Sequence, residues 1–409
     1  MNRRVFLVTA TTGITKLATA QQPDVPEAIR NLKPMTGGIQ PITGDERRAR
    51  VEKARRLMRD NKIGAVVMEG GTSLFYFTGT RLAASDRTAA WVLPARGEPA
   101  WIAPAGEASA QLASDVRTWT EPGEAYRKIA QLLKERGVTT GRVGIEERTR
   151  FAVFDGIRHE APSLEFVSAD AVTAGCRVIK SPAEIALMQR ANDITIEAYR
   201  AAFTTLKEGM SQRDLSANIA AAYRALGVQG NAMAIFGKYT AFPHGSIQPQ
   251  KLREGDLVLI DDGCSVDGYQ SDITRTTIFG KPTARQREVW NLERKAQDAA
   301  LAAAKVGATC ESVDAAARKV ITDAGFGPGY KLPGLPHRTG HGIGLDGHEW
   351  TNLVKGNKTK LQPGMCFSNE PTIAIYGEFG VRLEDCMYIT DAGARMFTKQ
   401  SPAIDQPLG

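Results

Sequence analysis

Two strand-like apolar runs each carry a carboxylate where the pattern calls for a buried side chain. Gly364-Met365-Cys366-Phe367-Ser368-Asn369-Glu370-Pro371 and Val381-Arg382-Leu383-Glu384-Asp385-Cys386 flank the turn-forming stretch Tyr376-Gly377-Glu378-Phe379-Gly380. A desolvated carboxylate is expensive unless something pairs with it, so any fold of this chain must bring a compensating charge to both. A three-residue loop that pairs Tyr376 with Gly380 puts Glu370 and Glu384 on one face, offset diagonally.

Two further segments have the same character. Leu257-Val258-Leu259-Ile260 reads as a buried strand ending in Asp261-Asp262-Gly263, and Asp267-Gly268 marks a hairpin turn before Tyr269-Gln270-Ser271-Asp272-Ile273-Thr274. A two-residue turn there pairs Val266 with Tyr269 and Asp261 with Thr274, so Asp261 and Asp272 share a face. Carboxylates so placed repel unless a cation lies between them or solvent reaches both. The run Pro336-His337-Arg338-Thr339-Gly340-His341-Gly342-Ile343-Gly344-Leu345-Asp346-Gly347-His348 holds three of the five histidines, and its glycines oppose a helix. These imidazoles are therefore expected on extended backbone. His244 lies seventeen residues before Asp261, and His159 stands apart from all of these segments.

At 409 residues the chain exceeds the roughly 250–300 that one core organises, so two domains are expected. Residues 44–175 read as an α/β unit, with a helix over 45–62, strand-like runs at Gly64–Met68, Leu74–Phe77, Ala90–Leu93 and Ala100–Ile102, a helix at Ala125–Glu135 and a strand at Val143–Ile145. No phosphate-binding loop follows these strands, so a nucleotide role is unsupported. Residues 176–409 open with long helices started by Ser181-Pro182-Ala183-Glu184 and Ser211-Gln212-Arg213-Asp214, with two more expected at 284–305 and 312–324.

Residues 1–20 combine Arg3-Arg4-Val5-Phe6-Leu7, a short weakly apolar stretch and Ala18-Thr19-Ala20. That pattern is a cleavable export signal of twin-arginine type, implying a periplasmic or secreted bacterial protein, and it is too short to span a membrane. Residues 21–43, rich in Pro, Gly and Gln, read as a linker. The net charge of +7 is mild and its signs are interspersed, which disfavours nucleic-acid binding. The five scattered cysteines form no metal-binding pair and are expected to be buried free thiols.

Together the suspicious segments supply one histidine and four carboxylates, Asp261, Asp272, Glu370 and Glu384. Such a set suits two hard-to-borderline divalent ions, Mn²⁺ first, with Co²⁺, Fe²⁺ or Zn²⁺ as alternatives. A metal pair of this kind activates water and polarises a carbonyl, so hydrolysis is the natural chemistry.

From about Arg47 to Leu408 the chain resembles the pita-bread metallopeptidases, which include methionine aminopeptidase, Xaa-Pro aminopeptidase, prolidase and creatinase. It is most similar to the two-domain, proline-specific branch: Leu74-Phe75-Tyr76-Phe77-Thr78-Gly79 matches the front-domain signature, and Ile179-Lys180-Ser181-Pro182-Ala183-Glu184-Ile185 the domain junction. The resemblance implies the fold class α+β, a creatinase-type α/β domain followed by a pita-bread catalytic domain. It implies that Asp261 holds one ion, His341 and Glu370 the other, and Asp272 and Glu384 bridge them. Glu370 is then the general base, His348 stabilises the oxyanion, and His244 meets the substrate near the scissile nitrogen. His337 and Arg382 match the His and Arg placed around the proline and its carboxylate.

The implied substrates are dipeptides, or peptides with proline second, and the implied assembly is a homodimer. The alternatives are another hydrolase or lyase on the same fold, such as a creatinase-like amidinohydrolase, and a non-catalytic binding protein. One departure is Thr372, where the family usually has Gly after Glu-Pro, and it is expected to reshape the pocket wall.

Overall fold

The computed structural model describes residues 25–82, 85–106, 112, 115–121 and 123–408. The export-signal segment 1–20 lies outside them. In the front domain, β1 (Ile63–Met68), β2 (Ala90–Pro94), β3 (Ala100–Pro104), β4 (Asp115–Trp119), β5 (Gly141–Ile145) and β6 (Leu164–Ser168) form one sheet in the order β4-β3-β2-β1-β5-β6. β1 runs parallel to β5 and antiparallel to β2. Its side chains alternate between two cores. Ala65 and Val67 pack with Ile129, Leu132 and Leu133 of the helix Glu124–Glu135, whereas Val66 and Met68 join Met58 of the helix Gly44–Asp60 on the other face.

Leu74–Phe77, read from sequence as a strand, is instead the helix Thr72–Thr78, capped by Gly79 at φ 73°. All four side chains are buried, and a short run apolar on every side carries no periodicity to separate helix from strand. The expected linker also needs correction over its described part. Ile29 and Ile42 are buried, the Met35 amide donates to the Leu226 carbonyl at 2.9 Å, and Arg190 reaches the Met35 carbonyl at 3.1 Å. Apolar residues spaced through this Pro- and Gly-rich stretch dock it on the catalytic domain.

The catalytic domain repeats one plan, a helix pair followed by antiparallel strands. Its first pair, Pro182–Phe203 and Gln212–Ala225, starts with the two expected capping boxes, Ser181 with Glu184 and Ser211 with Asp214. β7 (Met233–Phe236), β8 (Leu257–Asp261), the two-stranded hairpin β9 (Ser265–Val266) and β10 (Tyr269–Gln270), and β11 (Arg275–Ile278) follow. The second pair is Ala284–Ala303 and Cys310–Asp323, after which come β12 (Gly340–Gly342), β13 (Glu349–Leu353), β14 (Cys366–Asn369), β15 (Thr372–Ile375), β16 (Phe379–Arg382), β17 (Asp385–Thr390) and β18 (Gly393–Met396). Sheets β11-β8-β7 and β13-β12-β14-β17-β18 turn their strand ends toward one cavity. All five cysteines are buried and free. No helix among the described residues is long and apolar enough to cross a membrane.

The Asp267-Gly268 turn has both residues at positive φ, 48° and 91°, and pairs Val266 with Tyr269 as its dipeptide dictates. Ile260 pairs with Arg275 in the same register, which continues to set Thr274 opposite Asp261. The second hairpin differs from the expected register by two. Ile375, not Tyr376, closes the three-residue loop against Phe379, so Glu370 and Glu384 are directly opposite rather than diagonal. Gly377, at φ 89°, makes the turn. Gly380 answers a different need, since a Cβ there would lie 2.4 Å from the Thr240 carbonyl oxygen.

Candidate metal centre

Glu370 and Glu384 stand at interruptions of their strands, and the backbone shows why. The Glu370 amide donates to the Thr339 carbonyl at 2.8 Å and the Glu384 amide to the Thr274 carbonyl at 3.1 Å, so each residue turns from its hairpin partner toward the segment that leads into β12 or β11. The fully buried Arg275 secures the second turn, donating to the Glu384 carbonyl at 2.7 Å and to Asp385 at 2.6 Å. Tyr199, from the helix Pro182–Phe203, sets its hydroxyl 2.8 Å from the Asp262 carbonyl and 3.0 Å from that of Ile273, pinning the backbone between Asp261 and Asp272.

All five expected ligands line one cavity of about 860 Å³. Donor atoms of Asp261, Asp272 and Glu384 lie within 4.8 Å of one another, as do those of His341, Glu370 and Glu384. Glu384 is common to both groups. His341 Nδ1 is 3.0 Å from the Gly342 carbonyl, which can only accept, so Nδ1 carries the ring proton. The bare Nε2 then faces Glu370 Oε1 at 3.3 Å, Asp272 Oδ2 at 3.6 Å and Glu384 Oε1 at 4.0 Å. Glu384 Oε1 is buried with no hydrogen-bond partner among the described residues. A lone pair aimed at three carboxylate oxygens, one of them orphaned, is a donor set that fits divalent cations.

Electrostatics agree. Burial first, then repulsion from Asp261 and Glu370, raises Asp272 well above the usual carboxylate range, and burial followed by repulsion from Asp272 does the same to Glu384. Glu370 rises to about 7, chiefly through burial, with Asp261 adding to the rise and Arg382 opposing it. Burial and then His348 push His341 down to about 3, which keeps it a neutral ligand.

The other expected residues also meet here. His244 and His348 line the cavity and are exposed to it, and the His348 ring lies 4.1 Å from that of His341. Arg382 lines it too, with its guanidinium engaged at all three nitrogens. It ion-pairs with Asp261 and donates to Thr274 Oγ1 and the Pro243 carbonyl, both at 3.0 Å. His337 is bound by both ring nitrogens, Nδ1 to the Arg338 carbonyl at 2.6 Å and Nε2 to Thr372 Oγ1 at 2.9 Å.

Sequence reasoning passed over three features. The register places Thr274 opposite Asp261 without marking a role for it, yet its hydroxyl sits between Asp261 and Glu384. Arg338 lines the cavity with no ion-pair or hydrogen-bond partner for its guanidinium among the described residues, and no local pattern marks it. The loop carrying His348 is gripped by the front domain and the junction. Arg148 pairs with Asp346 at 3.0 Å, Arg177 with Asp346 at 2.6 Å and with Glu349, and Lys180 with Glu349 at 2.9 Å.

Residues 186–391 match the model of metallopeptidase family M24, and residues 50–179 match that of the Creatinase/Prolidase N-terminal domain. The chain belongs to metallopeptidase family M24. An Xaa-Pro dipeptidase of Pyrococcus furiosus is 31% identical over 354 residues, covering 86% of this chain and 97% of that protein. One from Lactobacillus helveticus is 32% identical over 358 residues, covering 85% and 96%. The crystal structure of a dipeptidase from Pyrococcus horikoshii superposes with a TM-score of 0.81 at 30% identity, covering 88% of this chain and 99% of that one. This M24 metallopeptidase therefore has the creatinase-type front domain followed by the pita-bread catalytic domain, and every residue of the centre falls within the M24 match.

Proposed function

We propose that the chain is a dinuclear metallo-exopeptidase that cleaves the Xaa-Pro bond of dipeptides. The observation that carries this reading is the bare His341 Nε2 facing the carboxylates of Glu370, Asp272 and Glu384. Asp261 would hold one ion, His341 and Glu370 the other, with Asp272 and Glu384 shared between them. Nitrogen and carboxylate donors without sulfur favour Mn²⁺, then Co²⁺, Fe²⁺ or Zn²⁺. Bound there, the ions supply an activated water at neutral pH and polarise the scissile carbonyl. Glu370 takes the proton of the attacking water. His348 donates to the oxygen that gains charge, and His244 serves the departing nitrogen.

The relatives named Xaa-Pro dipeptidase support proline as the leaving residue. Arg338 supports dipeptides over longer chains, because a cavity-lining guanidinium with no ion-pair or hydrogen-bond partner among the described residues matches the free carboxylate that a dipeptide presents next to its scissile bond. Export by the twin-arginine route and assembly as a homodimer complete the proposal.

The deciding experiment measures metal content and hydrolysis of Ala-Pro, Ala-Pro-Gly and Ala-Ala by purified protein loaded with Mn²⁺. Up to two ions per chain and a preference for Ala-Pro are expected. Protein that holds no metal and cleaves none of these peptides would overturn the reading.

A further inference from the structure

Thr372 opens β15 two residues after Glu370, and its hydroxyl has a defined task. The 2.6 Å contact between His337 Nδ1 and the Arg338 carbonyl places the ring proton on Nδ1, since a carbonyl only accepts. Nε2 is then an acceptor, and its partner at 2.9 Å is the Thr372 hydroxyl. Thr372 is itself buried, on β15 directly opposite Arg382. With both nitrogens satisfied inside the protein, the ring offers the cavity only carbon, its C–H edge and its faces.

We propose that Thr372 is a positioning residue that sets specificity: by capping His337 Nε2 it makes the imidazole an apolar wall for the residue on the leaving side of the scissile bond. This rests on the Xaa-Pro reading above. Proline brings ring methylenes and, in the scissile amide, no N–H, so an apolar wall suits it. A dipeptide ending in alanine brings an amide N–H that such a wall leaves without an acceptor, and an unmade hydrogen bond in a closed site is heavily penalised. Without the Thr372 hydroxyl, Nε2 becomes an unpaired acceptor at the cavity wall. The discrimination against a secondary amide then weakens. Burial, with Arg382 as the next cause, pushes the His337 imidazole down to about 3, so the ring is neutral across the working range.

The test combines spectroscopy with selectivity. In the Zn²⁺-loaded protein, two-bond ¹H–¹⁵N spectra resolve five histidines, and His337 is assigned by its loss in H337Q. The expected spectrum shows His337 protonated at Nδ1, with a hydrogen-bonded acceptor at Nε2. Thr372→Val, which keeps the volume and removes the hydroxyl, should shift Nε2 to the range of an unbonded acceptor and lower the Ala-Pro to Ala-Ala ratio of kcat/KM by about 10-fold or more. Thr372→Ser should restore both. A wild-type ring protonated at Nε2, a T372S variant that behaves like T372V, or an unchanged ratio in T372V would overturn the proposal. If T372V does not fold, the wild-type tautomer and the T372S ratio still decide it. Wild-type protein that shows the expected tautomer but cleaves neither dipeptide sinks the peptidase reading, and the selectivity role with it, while the cap itself stands.

Discussion

His341 Nε2 lies 3.3 Å from Glu370 Oε1, with the ring's only proton held on the far side by the Gly342 carbonyl. Two acceptors facing each other at that distance repel, so the centre is arranged around a charge that neither residue supplies. Arg382 ion-pairs with Asp261, while Glu384 Oε1 has no hydrogen-bond partner among the described residues.

Metal removal should therefore leave a protein whose stability falls as pH rises. Glu370 titrates near 4.3 in an unfolded chain, and in the folded protein burial, reinforced by Asp261, raises it to about 7. A group raised on folding contributes stability that is complete below the unfolded value and lost as pH climbs through the folded one. Protein treated with chelator should melt at a lower temperature at pH 8 than at pH 5. Metal at 100 times its dissociation constant adds about 2.7 kcal/mol and should restore the pH 8 melt. Equal melts at both pH values in the chelated protein would refute this.

Arg382 should act through Asp261 and not as a handle for substrate. Its guanidinium serves Asp261, Thr274 Oγ1 and the Pro243 carbonyl at once, a fan of contacts that a lysine ammonium cannot reproduce. Arg382→Lys should weaken metal affinity about 10- to 100-fold, the range for lost partners of metal ligands. Titration of the metal-free variant with Mn²⁺ measures this. A variant with unchanged affinity but raised KM would return Arg382 to the substrate.

Arg338 should be the opposite case. Arg338→Gln leaves the five candidate ligands untouched, so metal content should stay as in the wild type. The KM for Ala-Pro should rise about 10-fold or more, as expected for losing a hydrogen-bonded charge pair, and the KM for Ala-Pro-amide, which has no carboxylate, should hardly move. Equal effects on both substrates would show that Arg338 does not read the carboxylate.

How much of this was legible depended on whether the signal was local. Asp267-Gly268 admits one tight turn, so the register that joins Asp261 to Thr274 could be counted from it. Tyr376-Gly377-Glu378-Phe379-Gly380 has two glycines, and only the tertiary approach of Thr240 shows that Gly380 serves packing while Gly377 turns the chain. The resulting error of two residues preserved the face, because side chains alternate with period two, and so Glu370 and Glu384 were still matched. Pairs distant in sequence left no local trace. Arg382 meets Asp261 across 121 positions, and Arg177 meets Asp346 across 169.

The second of those pairs belongs to a clamp that should be separable from the metal chemistry. Glu349 accepts from the Leu345 and Asp346 amides at 2.9 and 3.1 Å as well as from Arg177 and Lys180, tying the loop that ends in His348 to the domain junction. Burial opposes its ionisation, but Lys180 and Arg177 prevail and hold it down to about 2. The sign is thus the reverse of Glu370: this contribution is present above about 4.3 and is lost as pH falls toward 2. Glu349→Gln leaves two buried cations without their shared anion, a loss of roughly 3–5 kcal/mol for a broken buried pair. It should lower Tm at pH 7 and slow kcat through a misplaced His348, with the metal content unchanged. At pH 2.5 the gap in stability between variant and wild type should narrow. A variant with wild-type Tm and kcat would show that the junction does not hold the His348 loop.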